Sequence, residues 1–298
     1  MTDAMTIPEA TIPEPTALET VVLTHGDARV YVAPARGGMV TRFYVGARPI
    51  LYLDEGTLLD PSKNVRGGIP VLFPSPGKLA GDRFARDGRS GQMGQHGFAR
   101  NAAWEIAAQG PSEVTLRLAS SDATRAVYPW DFELRYRYLL SDDTLRIEQR
   151  IETRGDAPMP FGAGFHPYFH LSQADKANTD RPRIATRATR AWDNTKKALI
   201  DLDGPIDLTA AEVDLHLVDH DASTCALDLG DGHAVVVSAP EPFERWIVWT
   251  LAGKDFVCVE PWTSPADALN SGEALLEAEP GKPVELVTEI LFTRRDKR

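Results

Sequence analysis

At 298 residues the chain sits at the upper edge of what one hydrophobic core organises, and 43% hydrophobic with 25% charged side chains is ordinary for a soluble globular protein. A formal net charge of −11 argues against a nucleic-acid or anionic-membrane surface, because phosphate backbones require a basic footprint, yet it leaves room for a small anion held by a few local arginines. Two cysteines, Cys225 and Cys258, are too few for a disulfide framework and stand in no metal-ligand spacing, so both read as small buried hydrophobes.

Residues 1 to 18 are rich in Thr, Pro, Glu and Ala, a composition that predicts a disordered tail ahead of one domain over 19–298. They lack a basic start followed by an apolar core, and no later apolar run approaches bilayer length, so a cytoplasmic, reduced setting is expected. Patterning begins with Thr20–Leu23, a His25-Gly26-Asp27 turn and Ala28–Val32, which predict a hairpin. Met39–Val45 reads as the next strand. Glu113–Leu118, Phe132–Leu140 and Leu145–Thr153 alternate apolar with polar residues, and the last two form a hairpin about an acidic turn. Ala234–Ser238, Arg245–Leu251, Phe256–Glu260 and Val284–Phe292 follow, with helical character confined to Pro265–Leu276. Many short strands, 23 glycines and 22 prolines, with no βαβ alternation, indicate an all-β antiparallel sandwich with few short helices.

Five stretches carry candidate chemistry. In Asn64–Lys78 a short apolar run is bracketed by Gly67-Gly68 and Pro74-Ser-Pro-Gly77, placing Arg66 and Lys78 at opposite ends of one segment; the same pattern suits a plain strand with two solvated cations. Gln95–Trp104 offers His96 before Gly97 and Arg100 four residues on. Phe161–Leu171, F-G-A-G-F-H-P-Y-F-H-L, sets His166 between a glycine-rich approach and an aromatic exit, with Gly162 and Gly164 expected to admit a ligand or another backbone. Pro167 biases His166 toward extended backbone at a strand end. His166 and His170 have the spacing of a zinc helix, but the intervening glutamate is missing and Pro167 opposes the helix, so no metal site is expected. Glu260 closes the apolar run Phe256–Val259 and precedes Pro261 and Trp262; a carboxylate there is costly unless paired or working, and burial raises its proton affinity as a general base near neutral pH requires. Asp219, in Leu217-Val-Asp-His-Asp, and Asp193, in Trp192-Asp-Asn-Thr, are competing candidates for contacting ligand hydroxyls, each equally readable as a turn residue.

HGFAR followed by a tryptophan, a G-x-H-P-Y-F histidine and a V-C-V-E-P-W glutamate, in that order, resemble the aldose 1-epimerase (mutarotase) family over residues 20 to 292. The resemblance implies a large β-sandwich of the galactose mutarotase-like supersandwich type, with a sugar cleft on one sheet. It implies His166 as general acid, Glu260 as general base, and His96 and Asp219 as substrate contacts, with no metal and no cofactor. Many members acting on free sugars carry an Asn-Arg pair where this chain has Gly77-Lys78, and V-R-G-G-I-P-V-L-F-P with G-Q-H-G-F-A-R-N is similar to the hexose-6-phosphate branch, where Arg66 and Arg100 would serve a phosphate. E-P-W-T-S-P-A-D-A-L-N is similar instead to the branch acting on unphosphorylated aldoses, and Trp262 offers a face for the sugar.

The implied reaction, interconversion of hexose anomers, opens a cyclic hemiacetal and recloses it from the other face. It needs a proton delivered to the ring oxygen and one removed from the anomeric hydroxyl, with a nearby carboxylate expected to raise the proton affinity of His166. The same reaction on a hexose 6-phosphate, and a non-catalytic sugar-binding sandwich, are the alternatives. The partner in each case is a small sugar, and the chain is expected to be a monomer or homodimer.

Overall fold

In the computed structural model, which describes residues 18–178 and 183–294, two eight-stranded sheets and three smaller ones are built from antiparallel ladders. The expected tail lies, but for Leu18, outside the described residues. One large sheet runs in the order Ile184–Ala185, Thr224–Asp228, His233–Ser238, Val284–Arg294, Thr144–Thr153, Phe132–Ser141, Glu113–Ala119, Glu105–Gln109. The other runs Ala198–Asp201, Arg190–Asp193, Glu212–Leu217, Arg245–Leu251, Phe256–Trp262, Gly164–Phe165, Val71–Leu72, and Tyr168–His170 also pairs with Phe256–Trp262. A four-stranded sheet covers Val21–Pro49.

The period-two pattern of the longest hairpin does what its sequence predicts. Phe132–Ser141 and Thr144–Thr153 pair residue for residue from Phe132 opposite Thr153 to Ser141 opposite Thr144. Leu134, Tyr136, Tyr138, Leu145, Ile147 and Ile151 point inward and are fully buried, while the outer face carries arginines and glutamates paired across strands, such as Arg146 with Glu289 and Arg150 with Glu285. The hairpin at His25–Ala28 and the strands Met39–Val45 and Arg245–Leu251 also stand where the sequence places them.

Helix is less confined than the sequence suggests. Besides Ala268–Ser271, inside the expected stretch, short helices occupy Glu55–Leu59, Asp122–Val127 and Gln173–Ala177. Each begins at a side-chain cap (Asp54, Ser121 and Ser172), and Ser121 with Thr124 completes a reciprocal box, so local capping rather than an apolar stripe starts them. No helix among the described residues is long and apolar enough to cross a membrane.

The second large sheet has two different faces, and this alternation positions everything that follows. Along Phe256–Trp262, Val257 and Val259 enter the main core with Val248, Ile147 and Phe165, whereas Phe256, Cys258 and Trp262 belong to a separate aromatic cluster on the opposite face with Tyr168, Ile247 and Trp249. Glu260 shares that second face by the same period. The glycines of the Phe161–Leu171 stretch serve the packing between strands, not the approach of a ligand: a Cβ on Gly162 would stand 2.2 Å from Ser264 Oγ and 2.6 Å from Pro76 Cδ, and one on Gly164 would stand 2.9 Å from Pro261 O and Trp262 Cδ1. Gly162→Ala is therefore expected to destabilise the fold by about 1–3 kcal/mol through overpacking. A denaturation midpoint unchanged from wild type would show that the gap can open without cost.

Candidate active site

His166 follows the Gly164–Phe165 strand, and its backbone N–H donates to Pro70 O at 3.1 Å. Pro167 separates it from Tyr168–His170, and the chain turns so that His166 stays buried while His170 is exposed. The imidazole stacks on the Tyr168 ring at 4.6 Å between centroids and 9° between planes, with Trp249 edge-on at 5.6 Å. Its Nε2 lies 3.4 Å from Glu260 Oε1. The other oxygen of Glu260 accepts from Trp262 Nε1 at 3.1 Å, so the strand that buries the carboxylate also supplies its donor two residues on. The two strongest sequence candidates, 94 positions apart in the chain, thus form one contact.

Burial governs the protonation of this pair. Glu260 is 1% exposed, and loss of water together with the nearby Asp214 carboxylate pushes its proton affinity well above the ordinary 4.5, against the Trp262 hydrogen bond and the Arg100 charge. His166 moves the other way, down to about 3, through burial first and then the charges of Arg100 and Arg66. The histidine is thus lowered where the neighbouring carboxylate alone predicts a rise, because desolvation and two guanidiniums outweigh that attraction. With the neutral forms of both groups favoured, the pair holds one proton between them.

His96 reaches the pair from the loop before the short helical turn at Ala99–Asn101. It adopts a left-handed backbone at φ +71°, held by its N–H donating to Gly77 O at 2.8 Å while Gly77 N–H donates back to His96 Nδ1 at 3.2 Å. Burial, then the neighbouring His166 and the two arginines, keep the ring neutral, and with Nδ1 accepting, its proton sits on Nε2. The ring packs edge-on to both His166, at 5.5 Å, and Trp262, at 5.6 Å. Gly97 is required beside it, since its φ is +71° and a Cβ would stand 2.1 Å from Phe73 O.

Two cations face the same place. The Arg66 guanidinium lies 5.2 Å from the centre of the Trp249 ring, and its charge acts on His96, His166 and Tyr168. Arg100 bears on His96, His166 and Glu260, and its buried Nε has no hydrogen-bond partner. Neither forms an ion pair among the described residues.

Lys78 is exposed beside Gly77, and its backbone carbonyl accepts from Asp267 N–H at 3.0 Å. Asp219 is committed elsewhere: its carboxylate accepts from the Thr189 hydroxyl at 2.6 Å and from the N–H groups of Thr189 and Arg190, which hold it near 2. Asp193 is buried and caps its own turn, accepting from Thr195 and Lys196. The acidic residue whose charge reaches His166 and Glu260 is Asp214, on Glu212–Leu217, the adjoining strand in the sheet to Arg245–Leu251. It accepts from Asn194 Nδ2 at 2.7 Å and lies 3.4 Å from His216 Nε2, and the His216 ring stands edge-on to Trp262 at 5.5 Å. The alternation in E-V-D-L-H-L, with Val213, Leu215 and Leu217 buried, was the available signal that Asp214 and His216 share the opposite face.

The family model described as aldose 1-epimerase matches residues 19–291. The Slr1438 protein from Synechocystis sp. PCC 6803 has a solved structure that superposes with a TM-score of 0.87 at 38% identity, covering 94% of this chain and 98% of that one. A galactose mutarotase related enzyme from Lactobacillus acidophilus superposes with a TM-score of 0.71 at 21% identity, over 93% of this chain and 99% of that one, and shares the fold. Proteins provisionally named glucose-6-phosphate 1-epimerase from Cenchrus ciliaris and Salmonella typhimurium are 29% and 27% identical, over 56% and 61% of this chain. The chain spans just over half the length of these curated relatives, 51% and 58%. With the family match running through every strand that carries a residue of the site, the chain belongs to the aldose 1-epimerase family.

Proposed function

We propose that the protein interconverts the α and β anomers of a hexose by acid–base opening and reclosure of the sugar ring, with His166 and Glu260 as the proton-transfer pair. The observation that carries the reading is their 3.4 Å contact among buried aromatic rings, two titratable groups with oppositely displaced proton affinities.

The proton count balances without a further reactant. In opening, Glu260 takes the proton of the anomeric hydroxyl, the anomeric carbon becomes a carbonyl, and His166 gives its proton to the ring oxygen as the carbon–oxygen bond breaks. The pair enters this step as imidazolium and carboxylate and leaves it as imidazole and carboxylic acid. Rotation about the bond beside the anomeric carbon then presents the other carbonyl face, and closure returns both protons. Burial favours the neutral pair, which is the state that accompanies the open-chain sugar. The imidazolium–carboxylate form that begins ring opening arises when Glu260 passes the shared proton to His166 across their 3.4 Å contact, and the step ends in the form that burial favours. Trp262 and Tyr168 offer apolar faces to the pyranose, His96 donates from Nε2, and Asp214 with His216 is placed for the remaining hydroxyls, in preference to Asp219 or Asp193.

His166→Ala and Glu260→Gln are each expected to slow anomer exchange, read by NMR on glucose or galactose, by about 10²–10⁴-fold while the fold persists. Wild-type rates in either variant would remove the pair from the chemistry, and sugar binding without exchange in the wild type would leave a carbohydrate-binding sandwich.

The pH profile distinguishes a shared proton from two independent groups. Activity requires a single proton on the pair: a second is added on the acid side as His166 ionises, and the first is lost on the alkaline side as Glu260 ionises. With His166 lowered to about 3, the plateau of kcat/KM is expected to extend on its acid side beyond the interval between the ordinary values of 4.5 and 6.5, and the rise of Glu260 above 4.5 moves its alkaline limb upward from the carboxylate value. A bell confined to that interval would mean that the groups titrate as if in water.

Arg66 and Arg100, which lack ion-pair partners among the described residues, favour a second reading in which the hexose carries a 6-phosphate. In that case Arg66→Ala raises KM for glucose 6-phosphate by at least about tenfold, the loss of one charge-assisted contact, and leaves KM for glucose unchanged. Equal effects on both sugars would count against a phosphate at this position.

A further inference from the structure

Cys258 has no part in the proton transfers above, yet it lies on the same face of the Phe256–Trp262 strand as Glu260, in register with Tyr168. Among the described residues, His166, Cys258 and Glu260 form the one group of potential metal ligands whose donor atoms all approach within 4.8 Å of one another, and all three are buried. Two ligands of a tetrahedral zinc ion, with bonds of about 2.0–2.2 Å to nitrogen and oxygen, stand roughly 3.3–3.5 Å apart. The His166 Nε2 to Glu260 Oε1 separation is 3.4 Å.

We propose that this triad is an inhibitory site for a thiophilic divalent cation, zinc by preference, which binds across the proton-transfer pair and leaves its fourth position toward the sugar cleft. Charge selects the ion. Binding displaces the thiol proton of Cys258 and the single proton held by His166 and Glu260, two protons released to solvent. One thiolate, one carboxylate and a neutral imidazole then balance a dication, so the buried complex carries no net charge. The facing charges of Arg66 and Arg100 oppose the bare ion and are met by the two anionic ligands formed as it binds. The soft sulfur separates zinc from magnesium and calcium, which prefer all-oxygen sites. Cys225, in the other large sheet, has no such neighbours among the described residues and serves as an internal control.

The test reads binding apart from catalysis, so it stands whether or not the sugar reaction is the one assigned. The full chain is titrated with Co²⁺ followed by absorbance, and with Zn²⁺ followed by calorimetry. One ion per chain is expected, with thiolate-to-cobalt charge-transfer absorption that persists in Cys225→Ser and disappears in Cys258→Ser and Cys258→Ala. Zn²⁺ binding in the Cys258 variants weakens by at least about tenfold. Zn²⁺ also abolishes anomer exchange in the wild type, reversibly on chelation, whereas Cys258→Ser, folded by circular dichroism, exchanges anomers at the metal-free wild-type rate and resists the same Zn²⁺ concentration. Absence of the charge-transfer band in the wild type, undiminished Zn²⁺ affinity without Cys258, or Zn²⁺ binding through Cys258 that leaves exchange untouched would each overturn the proposal.

Discussion

The structure depends on a carboxylate placed where water cannot reach it. Glu260 is 1% exposed within a strand whose alternate residues fill the main core, and a lone ionised carboxylate there would cost several kcal/mol. Three features make the position tolerable: a proton held in common with His166, the Trp262 indole N–H, and the charge of Arg100. Each comes from a different kind of constraint. The indole is fixed by strand period, His166 by the proline-interrupted chain between two short strands, and Arg100 by a helical turn whose approach depends on the glycine at 97. Removing any one leaves the carboxylate less well compensated, so the architecture around it is over-determined.

Most of the strand framework was legible in the sequence because period-two alternation reports burial directly. Phe132–Ser141 and Thr144–Thr153 have one face in the core and one in water, and their register could be written from the residues alone. The second large sheet was harder, since both of its faces are covered near the site and the run Phe256–Trp262 is buried throughout. There the sequence shows a continuous apolar stretch with a glutamate in it, which marks the glutamate as unusual but does not say which face it takes. His166 stood out for a comparable reason, an imidazole with a proline behind it.

What remained hidden depends on contacts between distant segments. Gly162 and Gly164 look like a ligand approach, and only their proximity to Ser264, Pro76 and Trp262 shows that they are filled by the protein itself. Asp219 looks like a ligand residue in sequence, but its carboxylate is captured by a segment some thirty positions earlier, the successive N–H groups of Thr189 and Arg190. Asp214 was masked by the opposite effect: it lies in a modest six-residue strand and acquires its influence from the neighbours that sheet pairing brings, Trp249 across one ladder and the pair beyond it. The short helices likewise begin at single capping residues, a signal too brief to separate from an ordinary turn.

The electrostatics of the pair follow from opposing charges rather than from burial alone. Arg66 and Arg100 lower the proton affinity of His166, while Asp214 raises that of both His166 and Glu260. Desolvation separates the two affinities in opposite directions, so it selects the neutral pair without changing the number of protons held. The fixed charges act differently: cations favour losing the shared proton, and the Asp214 carboxylate favours keeping it. Asp214 therefore does more than accept from Asn194 on the face beside Trp262. Set against two guanidiniums, it keeps the pair from surrendering the proton that the proposed ring opening and closure require, and its own charge is held in place by Asn194 and His216.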